Sequence, residues 1–295
     1  MKNKKVETVV EDIYKTISVL GAGKPIDIND QEIDKFGELM KSALKDWLTP
    51  RAKQKPTLRM SNIGKPERQL WFDINSAEES HTIPPATMIK FLYGHILEGV
   101  VLFLTELAGH TVTDQQKEVK VKGIVGHMDC KIDGEVIDIK SASRFAFQKF
   151  VTGTLADSDH FGYLSQLAGY EKNEGTEHGG FLVINKESGE LCLFKPEELD
   201  KPNIDVKISN TKKIIKRKLP PKELCYAPVA DGTYGNYKMG KLCVYCPHKF
   251  ICHKDSNDGK GLRVFKYAKG PAYFTTIIKK PNVLEITDRY AKTTS

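Results

Sequence analysis

Hydrophobic spacing changes character several times along the chain, and each change predicts an element. Val6 to Leu20 and Asp30 to Leu48 repeat apolar residues at helical spacing. In the second run Leu39, Leu44 and Leu48 sit among Lys and Glu, which predicts one buried stripe with Asp30 as N-cap. Met88 to Leu107 is apolar almost all round, so a helix buried on every side is expected there, ended by Gly109. The period shortens to two at Val119-Lys120-Val121, where a sheet is expected to begin. Helical patterns return at about 144–151 and 159–172. Phe181–Asn185 and Glu190–Phe194 then read as a hairpin across Glu187-Ser188-Gly189, and a strand-like tail runs from Leu262 to Ile286. These elements predict a mixed α/β fold, a mixed central sheet flanked by helices. A helical N-terminal region is expected over 1–57, the core over 58–200, and a basic helix, a cysteine cluster and C-terminal strands over 201–295.

The sharpest local signal is Gly126-His127-Met128-Asp129-Cys130-Lys131-Ile132, then Asp133-Gly134, then Glu135-Val136-Ile137-Asp138-Ile139-Lys140. Asp-Gly between two such runs predicts a two-residue hairpin turn, because both central residues of that turn need positive φ. Counting back from it pairs Ile132 with Glu135, Cys130 with Ile137, and Asp129 with Asp138. One face then carries His127, Asp129, Lys131, Asp138 and Lys140, and the other Met128, Cys130, Ile132, Ile137 and Ile139. Two carboxylates opposite each other repel, and a hard divalent cation removes that penalty. Lys140, on the same face, is placed to orient or deprotonate a bound water. The residue set points to a metal-dependent phosphodiester-cleaving site.

Composition narrows the setting. The 295 residues suffice for one α/β domain with appendages. Forty-five Lys and Arg against 38 Asp and Glu leave a net charge of +7, compatible with a nucleic-acid partner. Residues 201–222 hold eight Lys or Arg against the single acid Asp205. No apolar run looks long enough for a membrane span, and Met1-Lys2-Asn3-Lys4-Lys5 leads into a charged segment rather than a signal peptide. A cytoplasmic protein without membrane contact is expected. Six cysteines in such a chain argue for metal binding or catalysis before disulfides.

Within the apolar helix, Gly94-His95-Ile96-Leu97-Glu98 puts His95 and Glu98 at i and i+3, on one face. Buried there, they need a polar partner, and the Asp129/Asp138 site is the candidate. Tyr163, Gln166 and Tyr170 also share a helical face. In order and spacing, Gly94-His95…Glu98, Gly126-His127-Met128-Asp129, Asp138-Ile139-Lys140-Ser141-Ala142-Ser143 and Gln166…Tyr170 resemble the RecB-type branch of the PD-(D/E)XK nucleases. The likeness is greatest to tailed-phage exonuclease-like proteins and CRISPR-associated adaptation nucleases, and covers about 58–253. It implies a restriction-endonuclease-like core with His95, Asp129, Asp138 and the Ile139 carbonyl ligating Mg²⁺ or Mn²⁺. It further implies that Lys140 positions the attacking water, that Glu98 stands near the site, and that Gln166 and Tyr170, with Tyr163 and Arg68, contact DNA. The implied activity is a deoxyribonuclease, an exonuclease at DNA ends in phage or host recombination and replication, in host cytoplasm if phage-encoded. A single-strand-annealing or single-strand-binding protein is an implied partner. A structure-specific or restriction-type endonuclease, or a silent DNA-binding or assembly module, would use the same residues.

Cys243-Val-Tyr-Cys246-Pro-His-Lys-Phe-Ile-Cys252, with Cys225 upstream, is a metal-ligand pattern. Its spacing admits tetrahedral zinc or an iron–sulfur cluster. The triad resembles the one that binds a 4Fe-4S cluster in the same nucleases, which implies such a cluster here, Zn²⁺ being the alternative. Their fourth ligand falls where this chain has Pro66, so Cys225 stands in, or His248 or His253 completes a zinc site. Cys130 and Cys192 read as buried strand residues.

Overall fold

The computed structural model describes residues 4–49, 56–76 and 85–291. Of the basic stretch that the sequence carries from Arg51 to Arg68, Arg51, Lys53 and Lys55 lie outside them. In chain order the main elements are α1 (Val9–Gly21), α2 (Asp30–Leu48), α3 (Glu67–Asn75), α4 (Pro85–Leu107), β1 (Val112–Thr113), β2 (Lys117–Val121), β3 (Ile124–Met128), β4 (Cys130–Ile132) and β5 (Glu135–Ala142). There follow α5 (Arg144–Val151), α6 (Tyr163–Glu174), β6 (Gly180–Asn185), β7 (Leu191–Phe194), α7 (Ile204–Ile215), β8 (Val229–Asp231), β9 (Asn236–Lys238), β10 (Arg263–Tyr267) and β11 (Gly270–Thr276). The backbone divides into two compact units, 1–64 with 83–210 and 65–82 with 211–295. Residues 65–82, expected within a continuous 58–200 core, thus group with the C-terminal part of the chain.

The first unit is built on a five-stranded mixed sheet of order β1-β4-β5-β6-β7. Its β5–β6 pair is parallel and the others antiparallel. Parallel neighbours need a crossover, and α5 and α6 supply it. The Asp-Gly turn forms as expected, with Asp133 at φ 52° and Gly134 at φ 91°, and pairs Ile132 with Glu135 and Cys130 with Ile137. One expectation fails next to it. The run 126–132 is not one strand: it breaks at Asp129 into β3 and β4, and β3 pairs with β2 in a separate two-stranded sheet. Val119–Val121 therefore belongs to that ribbon and does not begin the central sheet. The break also moves Met128 to the opposite core from Cys130.

Both faces of the central sheet are covered. Ile137 and Ile139 of β5 pack with Val9, Ile13, Val101 and Leu102 of α1 and α4. Val136 and Ala142, on the alternate face, pack with Phe147, Phe150 and Leu167 of α5 and α6. Asp138 and Lys140 lie between those last two positions in the strand, so the carboxylate face is an interior one.

Two helices depart from their expected environments. The α2 cap is Asn29, whose side chain accepts the Glu32 N–H at 2.9 Å. Leu44 and Leu48 are exposed; the inner seam is instead Phe36, Leu39 and Met40, with Phe36 against the Phe103 ring of α4 at 5.0 Å. In α4 only the C-terminal half is deeply buried, through Gly99, Val101, Leu102 and Thr105, while Ile89, Phe91 and Tyr93 are exposed. Contrary to expectation, α4 is long and apolar enough to cross a membrane by length and composition alone.

The loop into α6 is fixed by close backbone contact. Gly162 is left-handed (φ 76°), and a Cβ on it would stand 2.3 Å from the Gly64 Cα. The Asp159 carboxylate accepts the N–H groups of Gly162, Tyr163 and Leu164, each at 2.9 Å, satisfying donors that the helix start leaves open. Gly162→Ala should destabilise the protein by about 2–4 kcal/mol from backbone strain and overpacking together, measured as a shifted urea midpoint with unchanged slope.

In the second unit β8–β11 form an antiparallel sheet of order β10-β11-β9-β8. Its core gathers Met239, Leu262, Val264, Tyr273 and Ile286, so the tail expected from Leu262 to Ile286 is a hairpin with a returning edge. Leu70 and Phe72 of α3 are buried.

Candidate active site

Asp138 is fully buried at 0% exposure, and its Oδ1 has no hydrogen-bond partner. Its charge is answered by the Lys140 ammonium, in ion-pair contact with Oδ2. A buried carboxylate is costly unless something pairs with it, and Lys140 answers only one of the two oxygens. Asp129, at the break between β3 and β4, turns its Oδ2 onto the Ile139 N–H at 2.7 Å, which brings it beside Asp138. Burial, and then the charge of Asp138, push the Asp129 carboxyl well above the ordinary range. Burial alone would lower the Lys140 pKa, but the charges of Asp138 and Asp129 outweigh it and raise the value above that of a free lysine. Its contact with Asp138 places the Lys140 ammonium to orient a water or meet a phosphate oxygen.

Glu98 of α4 joins this group electrostatically. Burial raises its carboxyl, His95 and the Gln116 amide oppose the rise, and the Asp138 charge adds to it. His95 itself is exposed, not enclosed as an all-round buried helix would require. Gln116 was not foreseen. Its side chain donates to Glu98 Oε1 at 2.8 Å and its backbone N–H to the Asp129 carbonyl at 3.0 Å. It holds both from a left-handed backbone, φ 53°, a conformation uncommon outside glycine and unmarked by any sequence signal. His110 was also missed: buried, it sets Nδ1 at 2.6 Å from Asp133 and Nε2 at 3.1 Å from Asp12, tying the hairpin turn to α1.

The proposed DNA-contacting residues fare differently. Tyr170 is 1% exposed; its hydroxyl donates to the His127 carbonyl at 2.6 Å and accepts the Gln166 amide at 2.7 Å. Both residues thus brace the strand before Asp129, and Tyr170 has no ring face for a base. Tyr163 is half-buried, with the Lys140 ammonium 5.0 Å from its ring centroid. Arg68 is spent within the second unit. It donates to Cys252 through Nε to Sγ at 3.0 Å and through Nη2 to the carbonyl at 2.9 Å, and through Nη1 to the Pro221 carbonyl.

Cys225, Cys243, Cys246 and Cys252 line one small cavity of the second unit, with His248 and His253. Burial, then neighbouring thiols, push Cys243 up to about 12; burial likewise takes Cys246 up to about 11. His248 is engaged through Nε2 with Asp73 at 2.7 Å and stacks on Phe72. His253 is buried, and burial, then Arg68, lower its pKa. Cys130 is buried as expected, and Cys192 is partly buried.

Among the described residues no three His, Cys, Asp or Glu side chains stand in ion-holding geometry. The donor chemistry still sorts the two places. Carboxylate oxygens, one of them unpartnered, suit a hard divalent cation; four thiols around one cavity suit zinc or an iron–sulfur cluster.

No protein-family model and no curated protein matches the chain. Solved structures similar to it include SSO0001, 18% identical with a TM-score of 0.39 over 73% of this chain and 93% of that one. An alkaline exonuclease from Laribacter hongkongensis is 12% identical, with a TM-score of 0.34 over 52% of this chain and 89% of that one. The same enzyme in complex with dAMP gives 12%, 0.36, 55% and 89%. Likenesses this distant carry no argument about chemistry, which rests on this chain's own residues: a buried carboxylate paired to a lysine, and a second carboxylate beside it.

Proposed function

We propose that the protein is a metal-dependent deoxyribonuclease of the PD-(D/E)XK type, an exonuclease acting on DNA ends. The observation that carries this reading is Asp138, buried with its Oδ1 unpartnered and its Oδ2 paired to Lys140, beside Asp129. Asp129 and Asp138 would hold Mg²⁺ or Mn²⁺, with His95, Glu98 and the Ile139 carbonyl as further ligands. Such an ion, when bound, supplies an activated water and neutralises charge developing on the phosphate. The Lys140 ammonium would donate to that water or to a phosphate oxygen and add positive charge where negative charge grows. Gln116 fixes Glu98 and the Asp129 backbone. Tyr170 and Gln166 fix the His127 carbonyl.

We further infer a thiolate-bound centre in the second unit, held by Cys225, Cys243, Cys246 and Cys252: an iron–sulfur cluster, with zinc as the alternative. The Arg68 N–H donates to the Cys252 sulfur, and the Nε2–Asp73 bond commits one ring nitrogen of His248 elsewhere.

End-labelled linear DNA and closed circular DNA, each incubated with Mg²⁺ or Mn²⁺ and read on a gel, test the activity. Release of mono- or short oligonucleotides from the linear form, with circles resistant, is expected. Relaxation of circles points to an endonuclease, and inertness toward both defeats the reading.

A further inference from the structure

We propose that Phe161 is a stacking platform for one unpaired nucleotide of a DNA end, held in the cleft beside Lys140. This deepens the nuclease reading and rests on it. Phe161 is 64% exposed, although burying such a ring is strongly favoured. Its partner is Tyr163, stacked at 5.4 Å between centroids and 21° between planes. Tyr163 in turn lies under the Lys140 ammonium. An aromatic pair therefore runs from the lysine of the site to open solvent.

The cleft these residues line has a volume of about 190 Å³ and is also bounded by Ser143, Lys149, His160 and Lys186. Its one carboxylate, Asp159, is spent on three backbone N–H groups at the start of α6. The remaining charge is positive: Lys186 is exposed and anchored by its N–H to the Ala142 carbonyl, and Lys149 sits half-buried against the Ser158 carbonyl. A flat apolar ring beside lysines, with no free acid, is complementary to a base with its phosphates. Phe161 is also held in place, since Asp159 and the Gly64–Gly162 contact lock the turn on which it stands. A platform already fixed loses little freedom when a base settles on it. The base would lie on Phe161 and its phosphates toward Lys149 and Lys186, leaving the next phosphodiester toward Lys140.

The test uses single-stranded oligonucleotides of about ten nucleotides, labelled at the far end and followed by fluorescence anisotropy in EDTA. One series is intact; the other carries an abasic residue at each of the first few positions in turn. For the native protein one abasic position should weaken binding about 5- to 150-fold, and Phe161→Ala should weaken the intact oligonucleotide by a similar factor. Phe161→Ala should then be insensitive to that abasic position, and Phe161→Trp should restore the native pattern. The exposed ring makes a folding defect in Phe161→Ala improbable, and circular dichroism checks it. If Phe161→Ala binds and cleaves like the native protein, or loses equally on intact and abasic DNA, the platform is overturned and the nuclease reading stands. If the native protein neither binds nor cleaves DNA, both fall.

Discussion

Asp138→Asn is expected to abolish metal-dependent cleavage, by on the order of 10³-fold or more, the scale of losing a principal stabiliser of developing charge. The substitution keeps the shape and removes only the charge and the ability to hold a hard cation. Folding should survive. Lys140 keeps Asp129 nearby, and the repulsion that helps raise the Asp129 carboxyl disappears. The melting temperature of the metal-free protein should stay within a few degrees of native, since 1 kcal/mol corresponds to about 2–4 °C for a chain of this class. A second readout is metal itself: Mg²⁺ or Mn²⁺ should raise the melting temperature of the native protein and leave Asp138→Asn unmoved. Native cleavage rates in Asp138→Asn would remove the assignment. Lost activity with native metal stabilisation would confine Asp138 to a role other than ligand.

Cys246→Ser should have the largest effect on stability, and it should fall on the second unit. Ligand binding at a structural thiolate centre is folding free energy, roughly 10–16 kcal/mol for zinc in small domains. Loss of one of four thiolates should leave that unit metal-free and open to proteolysis within 211–295. Metal analysis of anaerobically purified native protein separates the two centres: iron with sulfide and visible absorption, or colourless protein with one zinc. Cys225→Ser tests the fourth position. Full metal content in that variant would pass the role to His253, or to His248 freed from Asp73. Native protein with neither metal, and native proteolytic resistance in Cys246→Ser, would overturn the centre.

Local chemistry made the hairpin legible. Two residues at positive φ fix a turn, and a turn fixes which residues oppose each other, so Cys130–Ile137 and Ile132–Glu135 could be counted from Asp133-Gly134. What that pattern cannot encode is the cover. Asp138 and Lys140 alternate with apolar residues, as on a solvated strand, yet α5 and α6 close over that face. The same limit explains Tyr170. Spacing places it on a face with Tyr163 and Gln166, but its hydroxyl finds the His127 carbonyl, 43 positions earlier. Arg68 is the converse case: a basic residue in a basic stretch, claimed by a carbonyl and a sulfur 184 positions away. Gln116 had no signature, because a left-handed glutamine is fixed by what surrounds it and not by its own preference.

The division of the chain sets an order of assembly. Residues 65–82 leave the ribosome well before the rest of their unit, 211–295. At translation rates of about 5–20 residues per second, α3 waits roughly ten to forty seconds for that partner. During the wait Phe72, buried in the finished protein and stacked on His248, lacks that partner, and the nascent chain carries an apolar side chain that chaperones or proteases can find. A stop or frameshift soon after residue 210 would prolong that wait indefinitely, so a shortened product retaining Asp129, Asp138 and Lys140 would still carry an orphaned helix ahead of them.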